Sequence, residues 1–290
     1  MSAGVIPSRR YMPIPAPAEV PTTTSAGAGM GMYLRLGITP ADMLARLDGR
    51  ELSTAGQAVV DRFGEPGDWT QSTVAREWRP PHPQLLGKLF RTPWKVRPEA
   101  LLGVAIPTGR KDTELWTSAL RAGAGTVWPT DPLWICAVRM DDACRVVFGR
   151  TGAPHTDVAT AVGASSAIPG YFAPVTIHGR RYVDGGVHSP TNVDVLAGCG
   201  LDLVIVSSPM SAEPRALTRL DAPIRWRFHR FLRNELWVLR PGIRRIVTLE
   251  PDRATLRAMG LAMLRTGRAA EIEEAARTLT GRRLKNLSLP

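Results

Sequence analysis

Three linked segments decide the fold. They are Ala164-Ser165-Ser166-Ala167-Ile168-Pro169-Gly170-Tyr171-Phe172-Ala173-Pro174, then Gly179-Arg180-Arg181-Tyr182-Val183-Asp184-Gly185-Gly186-Val187, then Ser189-Pro190-Thr191-Asn192. Arg181 to Val183 reads as a short strand, paired with Val175 to Ile177 across the turn His178-Gly179. The strand ends on Asp184-Gly185-Gly186. That arrangement holds a carboxylate at a strand end, where two glycines let the backbone turn sharply beside it. Taken alone, Asp-Gly-Gly is equally an ordinary turn.

Working outward, Leu133 to Val138 is a continuous apolar run, the pattern of a strand buried on both faces. Arg145 to Phe148 follows the Asp141-Asp142 turn as its hairpin partner. A short helix is expected from Asp157 to Gly163, capped by Thr156 or Asp157. Leu203 to Val206 and Ile246 to Leu249 read as further buried strands. Helical patterns fill 189–198 and 226–239. From Arg253 to about Arg283 the chain reads as helix, with Leu256, Met259, Met263 and Leu264 on one face. Residues 64–98, rich in Pro, Trp and Gly, read as loop and short helical pieces. Upstream, Ser25 to Leu36 is a small-residue helix ending at Gly37, and Thr39-Pro40 opens a second helix. Strands alternating with helices make this an α/β layered domain.

The first 24 residues hold Pro7, Pro13, Pro15, Pro17 and Pro21, with Arg9 and Arg10. Proline fixes φ and offers no donor, so residues 1–22 read as an extended, disordered arm. They lack the apolar run of a signal peptide. Nowhere does an apolar stretch approach the ~20 residues that span a bilayer. The three cysteines, Cys136, Cys144 and Cys199, form neither a disulfide framework nor a zinc knuckle, which suits a reducing, cytoplasmic setting.

At 290 residues, 44% hydrophobic and 22% charged, the chain has a globular composition with a net charge of +11. Thirty-three of its 37 cations are arginine. The charge is local. Residues 211–290 hold 17 cations and 8 acids, and the other 210 residues hold 20 and 18. This asymmetry argues against a nucleic-acid partner for the chain as a whole. Residues 225–245 carry seven arginines and one acid, interleaved with aromatics. Phe228, Leu232, Leu236 and Leu239 recur at spacings of 4, 4 and 3, one helical face. The expectation is a packed helix with a basic outer face, suited to peripheral contact with an anionic membrane surface.

The segments A-S-x-A-I-P-G-x-F-x-P, Y-x-D-G-G and P-x-N, in that order, resemble the second half of the patatin-like phospholipase domain. The resemblance covers roughly residues 100–250, and 23–60 more loosely. It implies a three-layer α/β fold with a mostly parallel central sheet flanked by helices. It also implies that Asp184 partners a nucleophilic serine in a G-x-S-x-G turn. The fitting site is Thr23-Thr24-Ser25-Ala26-Gly27, where Thr23 stands in place of the first glycine. The implied chemistry is a Ser25–Asp184 dyad that hydrolyses lipid or small acyl esters through an acyl-enzyme, with no cofactor and no metal. Gly185 and Gly186 complete the aspartate motif.

The family builds its oxyanion hole from a glycine-rich loop after its first strand. The 24 residues before Ser25 contain one glycine, Gly4, so that strand and loop are expected to be missing, as in an N-terminally truncated or degenerate member. The Ala26 amide, opening a helix, is one available donor. The alternative reading is a weak or inactive homologue that binds lipid or a partner. A Ser-Asp-His triad through His188 or His229 is a subordinate reading. The expected organisation is a patatin-like domain over 23–290, with 251–290 as a C-terminal helical extension.

Overall fold

The structure, a computed structural model, describes residues 19–47, 49–63, 73–75, 82–216, 221–260 and 269–285. A short strand, β1 (Thr22–Thr24), runs directly into helix α1 (Ala26–Arg35). Five helices follow: α2 (Pro40–Leu47), α3 (Thr54–Val60), α4 (Pro83–Arg91), α5 (Pro98–Ala105) and α6 (Glu114–Ala124). Thr39 caps α2 reciprocally. Its hydroxyl accepts from the Asp42 amide, and the Asp42 carboxylate accepts from the Thr39 amide. The chain then enters β2 (Trp134–Arg139) and turns back through β3 (Cys144–Phe148). Helix α7 (Val158–Ser166) leads to the hairpin of β4 (Val175–Ile177) and β5 (Arg180–Asp184). Strands β6 (Leu203–Ser207) and β7 (Arg245–Leu249) flank α8 (Ala222–Leu239), and α9 (Arg253–Met259) and α10 (Ala269–Leu284) end the described chain.

The α/β class expected from the sequence is what the structure shows. Strand direction follows the connection. Strands joined through helices pair in parallel, as β1–β2 and β6–β7 do. The hairpin partners β2–β3 and β4–β5, and the β2–β5 pair, are antiparallel.

The register around β2 is what builds the site. β3 covers one edge of that strand over Ile135 to Arg139. β1 lies opposite Trp134 to Cys136, and β5 opposite Ala137 to Arg139. A strand has only two edges, so β1 and β5 share the second. They run toward each other along it, and their carboxyl ends meet where Thr24 faces Cys136 and Asp184 faces Ala137.

Side chains of β2 alternate between two packed faces, as its continuous apolar run predicts. Leu133, Ile135 and Ala137 join Ala28 and Met32 of α1, Leu120 of α6 and Val162 of α7. Trp134 and Cys136 point the other way, into Leu232, Leu236 and Leu239 of α8 and Val204 of β6. Val138, on that second face, packs with Leu85 of α4 and Ala100 of α5. Helices therefore cover the sheet on both sides.

Some expectations need correction. The helix expected at 189–198 is a single 3-10 turn, Val193–Leu196. Pro190 withholds an amide, and Asn192 sits in the left-handed region at φ 51°, so no α-helix can run through them. The helix at 226–239 begins at Ala222. It buries Leu232, Leu236 and Leu239 as expected, but also Arg225 and Glu235. The arm expected over 1–22 lies outside the described residues as far as residue 18. Val20 is buried, and Thr22 opens β1. Of the apolar face expected beyond Arg253, Leu256 is buried, while Met263 and Leu264 lie outside the described residues. No helix among the described residues is long and apolar enough to cross a membrane.

Candidate active site

Ser25 occupies the turn between β1 and α1. Its φ and ψ are 55° and −129°, a region that a residue with a side chain adopts only under constraint. Two serines of the Ala164–Ala167 segment supply part of that constraint. The Ser165 hydroxyl accepts from the Ser25 amide at 2.9 Å and donates to the Cys136 carbonyl at 2.7 Å. The Ser166 hydroxyl donates to the Ser25 carbonyl at 3.2 Å. Both peptide groups of the strained residue are thus held by α7.

Asp184 comes from the opposing strand end. Ser25 Oγ donates to Asp184 Oδ2 at 2.7 Å, across 159 residues of sequence. The Gly186 amide donates to Oδ1 at 2.6 Å, so each carboxylate oxygen has one donor. The Asp184 amide donates to the Ala167 carbonyl at 3.0 Å, which ties this strand end to the same α7 terminus that holds Ser25. Asp184 is 5% exposed. Burial pushes its carboxyl up to about 6, against the opposing pull of the Ser25 hydroxyl and the Gly186 amide. A base in that range is ionised at neutral pH yet basic enough to take a proton.

The glycines of the two motifs differ in what they do. A Cβ on Gly185 would overlap the Cys136 carbonyl and stand 3.1 Å from the Thr24 methyl, so that position excludes a side chain. A Cβ on Gly186 would approach Asp184 Oδ1 at 3.0 Å. One on Gly27 would meet nothing within 4 Å. Thr23 donates from Oγ1 to the Trp134 carbonyl at 3.1 Å. Its branched side chain does not displace Ser25. Ala26 is exposed and opens α1, where no side chain caps the helix, and the Ala28 amide of that first turn donates to the Ser25 carbonyl at 2.8 Å.

The histidines stand apart from this pair. His229 Nδ1 lies 2.9 Å from Glu250 Oε1. His188 is pushed down to about 3 by burial and by Arg145 and Arg97, which leaves it neutral. No imidazole is hydrogen-bonded to Ser25 or Asp184 among the described residues.

Sequence reading overlooked three supports: Ser165, Ser166 and Asn192. Each stands within a motif whose sequence alone assigns it no task. Asn192 Nδ2 donates to Thr24 Oγ1 at 3.1 Å and to the Gly185 carbonyl at 3.2 Å, bridging the residues that flank the Ser25–Asp184 pair. The signal was its neighbourhood, Ser189-Pro190-Thr191, which breaks a helix and leaves an asparagine free to turn. The family model for patatin-like phospholipases matches residues 17–197 of this chain.

Proposed function

The chain belongs to the patatin-like phospholipase family, and from that premise we propose that it hydrolyses lipid acyl esters with Ser25 as nucleophile and Asp184 as its base. The family is one of lipid acyl hydrolases. The observation that carries the assignment of residues is the 2.7 Å hydrogen bond from Ser25 Oγ to Asp184 Oδ2 at a strained strand-to-helix turn.

Ser25 Oγ attacks the ester carbonyl carbon as its proton passes to Asp184. The carbonyl oxygen becomes an oxyanion beside the amino end of α1, where the Ala26 amide is the donor at hand. Collapse breaks the bond to the leaving alcohol, which takes the proton from Asp184. A water then attacks the acyl-serine as its proton passes to Asp184. Collapse breaks the bond to Ser25 Oγ, which takes that proton back from Asp184 as the freed acid leaves. The Gly186 amide and the burial of Asp184 hold the base in one orientation throughout.

The same reading takes residues 23–290 as one catalytic domain, with 251–290 as its helical extension, and gives the outer face of α8 a contact with anionic lipid. Arg227, Arg230 and Arg233 are exposed there, beside Trp226 and Trp237 at 45% and 77% exposure. Arg230 lies over the Trp226 ring at 5.0 Å. Cations and indoles together suit a headgroup layer.

The test is turnover of short-chain p-nitrophenyl esters by the full chain and by Ser25→Ala and Asp184→Asn. Loss of turnover in both variants supports the dyad, and turnover indifferent to either removes it. Binding to anionic vesicles that falls with added salt supports the α8 contact, because exposed charge is screened. Vesicle binding by a chain without ester turnover would favour a lipid-binding homologue.

A further inference from the structure

The one acid among the seven arginines of residues 225–245 is Glu235. It points inward and is 2% exposed, beside Leu232, Leu236 and Leu239 on the buried face of α8. Desolvating a carboxylate is costly unless it gains hydrogen bonds. Glu235 Oε2 accepts from the Thr191 hydroxyl at 2.6 Å and from the Val193 amide at 3.1 Å. Its Oε1 is buried with no partner among the described residues. Burial holds the carboxyl above its ordinary range.

The two residues that Glu235 grips are the immediate neighbours of Asn192. Asn192 is held in the left-handed region at φ 51°. Its amide is aimed on both sides. Arg145 donates to Oδ1 at 3.1 Å, which fixes the orientation, and Nδ2 then faces the Ser189 carbonyl at 2.5 Å together with Thr24 Oγ1 and the Gly185 carbonyl. Thr24 directly precedes Ser25, and Gly185 directly follows Asp184. The opposing ends of β1 and β5 are thus stapled one residue away from the reacting pair, and Glu235 anchors the staple. It does so from helix α8, beyond the family match, which ends at residue 197.

We propose that Glu235 is a positioning residue for the Ser25–Asp184 pair, acting through the turn that carries Asn192. The proposal rests on the reading of that pair as the catalytic dyad. Removing the carboxylate frees the Thr191 hydroxyl and the Val193 amide, lets Asn192 relax from its left-handed conformation, and loosens the register between Thr24 and Gly185. The Ser25–Asp184 hydrogen bond then lengthens. Misplacement of a reacting group by about 1 Å can cost on the order of 10²-fold in rate.

The experiment uses the full chain with a soluble p-nitrophenyl ester, and compares Glu235→Ala, Glu235→Gln and Ser25→Ala. Rates are normalised to folded protein. The expected result for Glu235→Ala is a fall in kcat of about tenfold or more, with KM changed far less. The acid limb of its pH profile moves upward, because a longer bond from Ser25 stabilises ionised Asp184 less. Glu235→Gln keeps an acceptor oxygen for Thr191 and Val193 and changes only the oxygen that has no partner. It therefore restores most of kcat and returns the limb to its place. A role in folding alone would lower the melting temperature without moving the limb. Wild-type kcat and limb in Glu235→Ala, with turnover still dependent on Ser25, overturn the positioning role and leave the dyad standing. Turnover independent of Ser25 overturns both. If Glu235→Ala does not fold, Thr191→Val carries the test. A lowered kcat with a raised limb supports the proposal, and wild-type values overturn it.

Discussion

The methyl group of Thr23 fills the space that a side chain on Gly31 would need. A Cβ on Gly31 would stand 2.7 Å from Thr23 Cγ2 and 3.0 Å from Leu133 Cδ1. Strand β1 and helix α1 approach closely because the turn at Ser25 is tight, and one of the two must be small. Here the helix yields. The prediction is a reversal of sign. In the natural background, Gly31→Ala overpacks the contact and destabilises by about 1–3 kcal/mol. With Thr23→Gly in place the 2.7 Å overlap is gone, Leu133 Cδ1 can shift from 3.0 Å into the space that Thr23 vacates, and the same substitution stabilises by roughly 0.5–1 kcal/mol through helix propensity. Denaturant unfolding of the four proteins in this cycle measures the coupling. Additive effects would mean that the two side chains do not compete.

This contact also marks where the sequence stops being legible. The β5 strand ending on Asp184 and the small-residue helix after Ser25 are written in consecutive residues. The pairing of Ser25 with Asp184 is implied only by the family resemblance, and the three-residue strand Thr22–Thr24, directly after Pro21, is not legible at all. Nor is the accommodation of Thr23 by Gly31, since it depends on how strand and helix pack. The grip of Ser165 and Ser166 on Ser25 spans 140 and 141 residues, and that of Glu235 on Thr191 spans 44. Charge pattern pointed the wrong way for Glu235 and Arg225. An amphipathic helix read by its aliphatic face gives no sign that a buried glutamate or arginine will share that face.

The strain at Ser25 predicts a difference between two variants that lack its hydroxyl. Ser25→Ala and Ser25→Gly both lose the hydroxyl and its bond to Asp184, and both keep the peptide groups held by Ser165 and Ser166. They differ in backbone freedom. A residue with a Cβ at φ 55° is strained by about 1–3 kcal/mol. Glycine accepts that conformation and gives back roughly 0.5–1 kcal/mol through the freer unfolded chain. Ser25→Gly should therefore be the more stable of the two by about 1 kcal/mol. Equal unfolding midpoints would mean that the turn is not under strain.

A pH profile tests the base. With Asp184 pushed up to about 6 by burial, kcat/KM for a soluble ester should rise with pH through a single ionisation near 6. That value resembles a histidine. The groups facing the carboxyl are the Ser25 hydroxyl and the Gly186 amide, neither of which titrates there. His188, two residues beyond Gly186, is held near 3 and stays neutral over the range. His188→Asn should leave the midpoint in place. A midpoint that disappears with His188 would assign the base to the imidazole.

The same ionisation sets a stability cost at neutral pH. Burial pushes the folded-state carboxyl of Asp184 up to about 6 from its ordinary value of 3.8. Between those two values the folded chain binds more protons than the unfolded chain, so stability falls as pH rises through that window. Below 3.8 the group is neutral in both states and contributes nothing. Above about 6 it is ionised in both, and the folded state bears the full cost of a buried charge, roughly 3 kcal/mol. An asparagine side chain at this position has the same shape and no charge, and its oxygen can still accept from Gly186 while its amide faces Ser25. Asp184→Asn should therefore abolish ester turnover and yet unfold at higher denaturant than the natural chain at pH 7–8. The advantage should shrink through pH 6 and vanish below pH 4. Unfolding curves at pH 4 and pH 8 decide it. A variant less stable than the natural chain at pH 8 would mean that the bonds from Ser25 and Gly186 outweigh the desolvation of the carboxylate, and that Asp184 supports the fold as well as the chemistry.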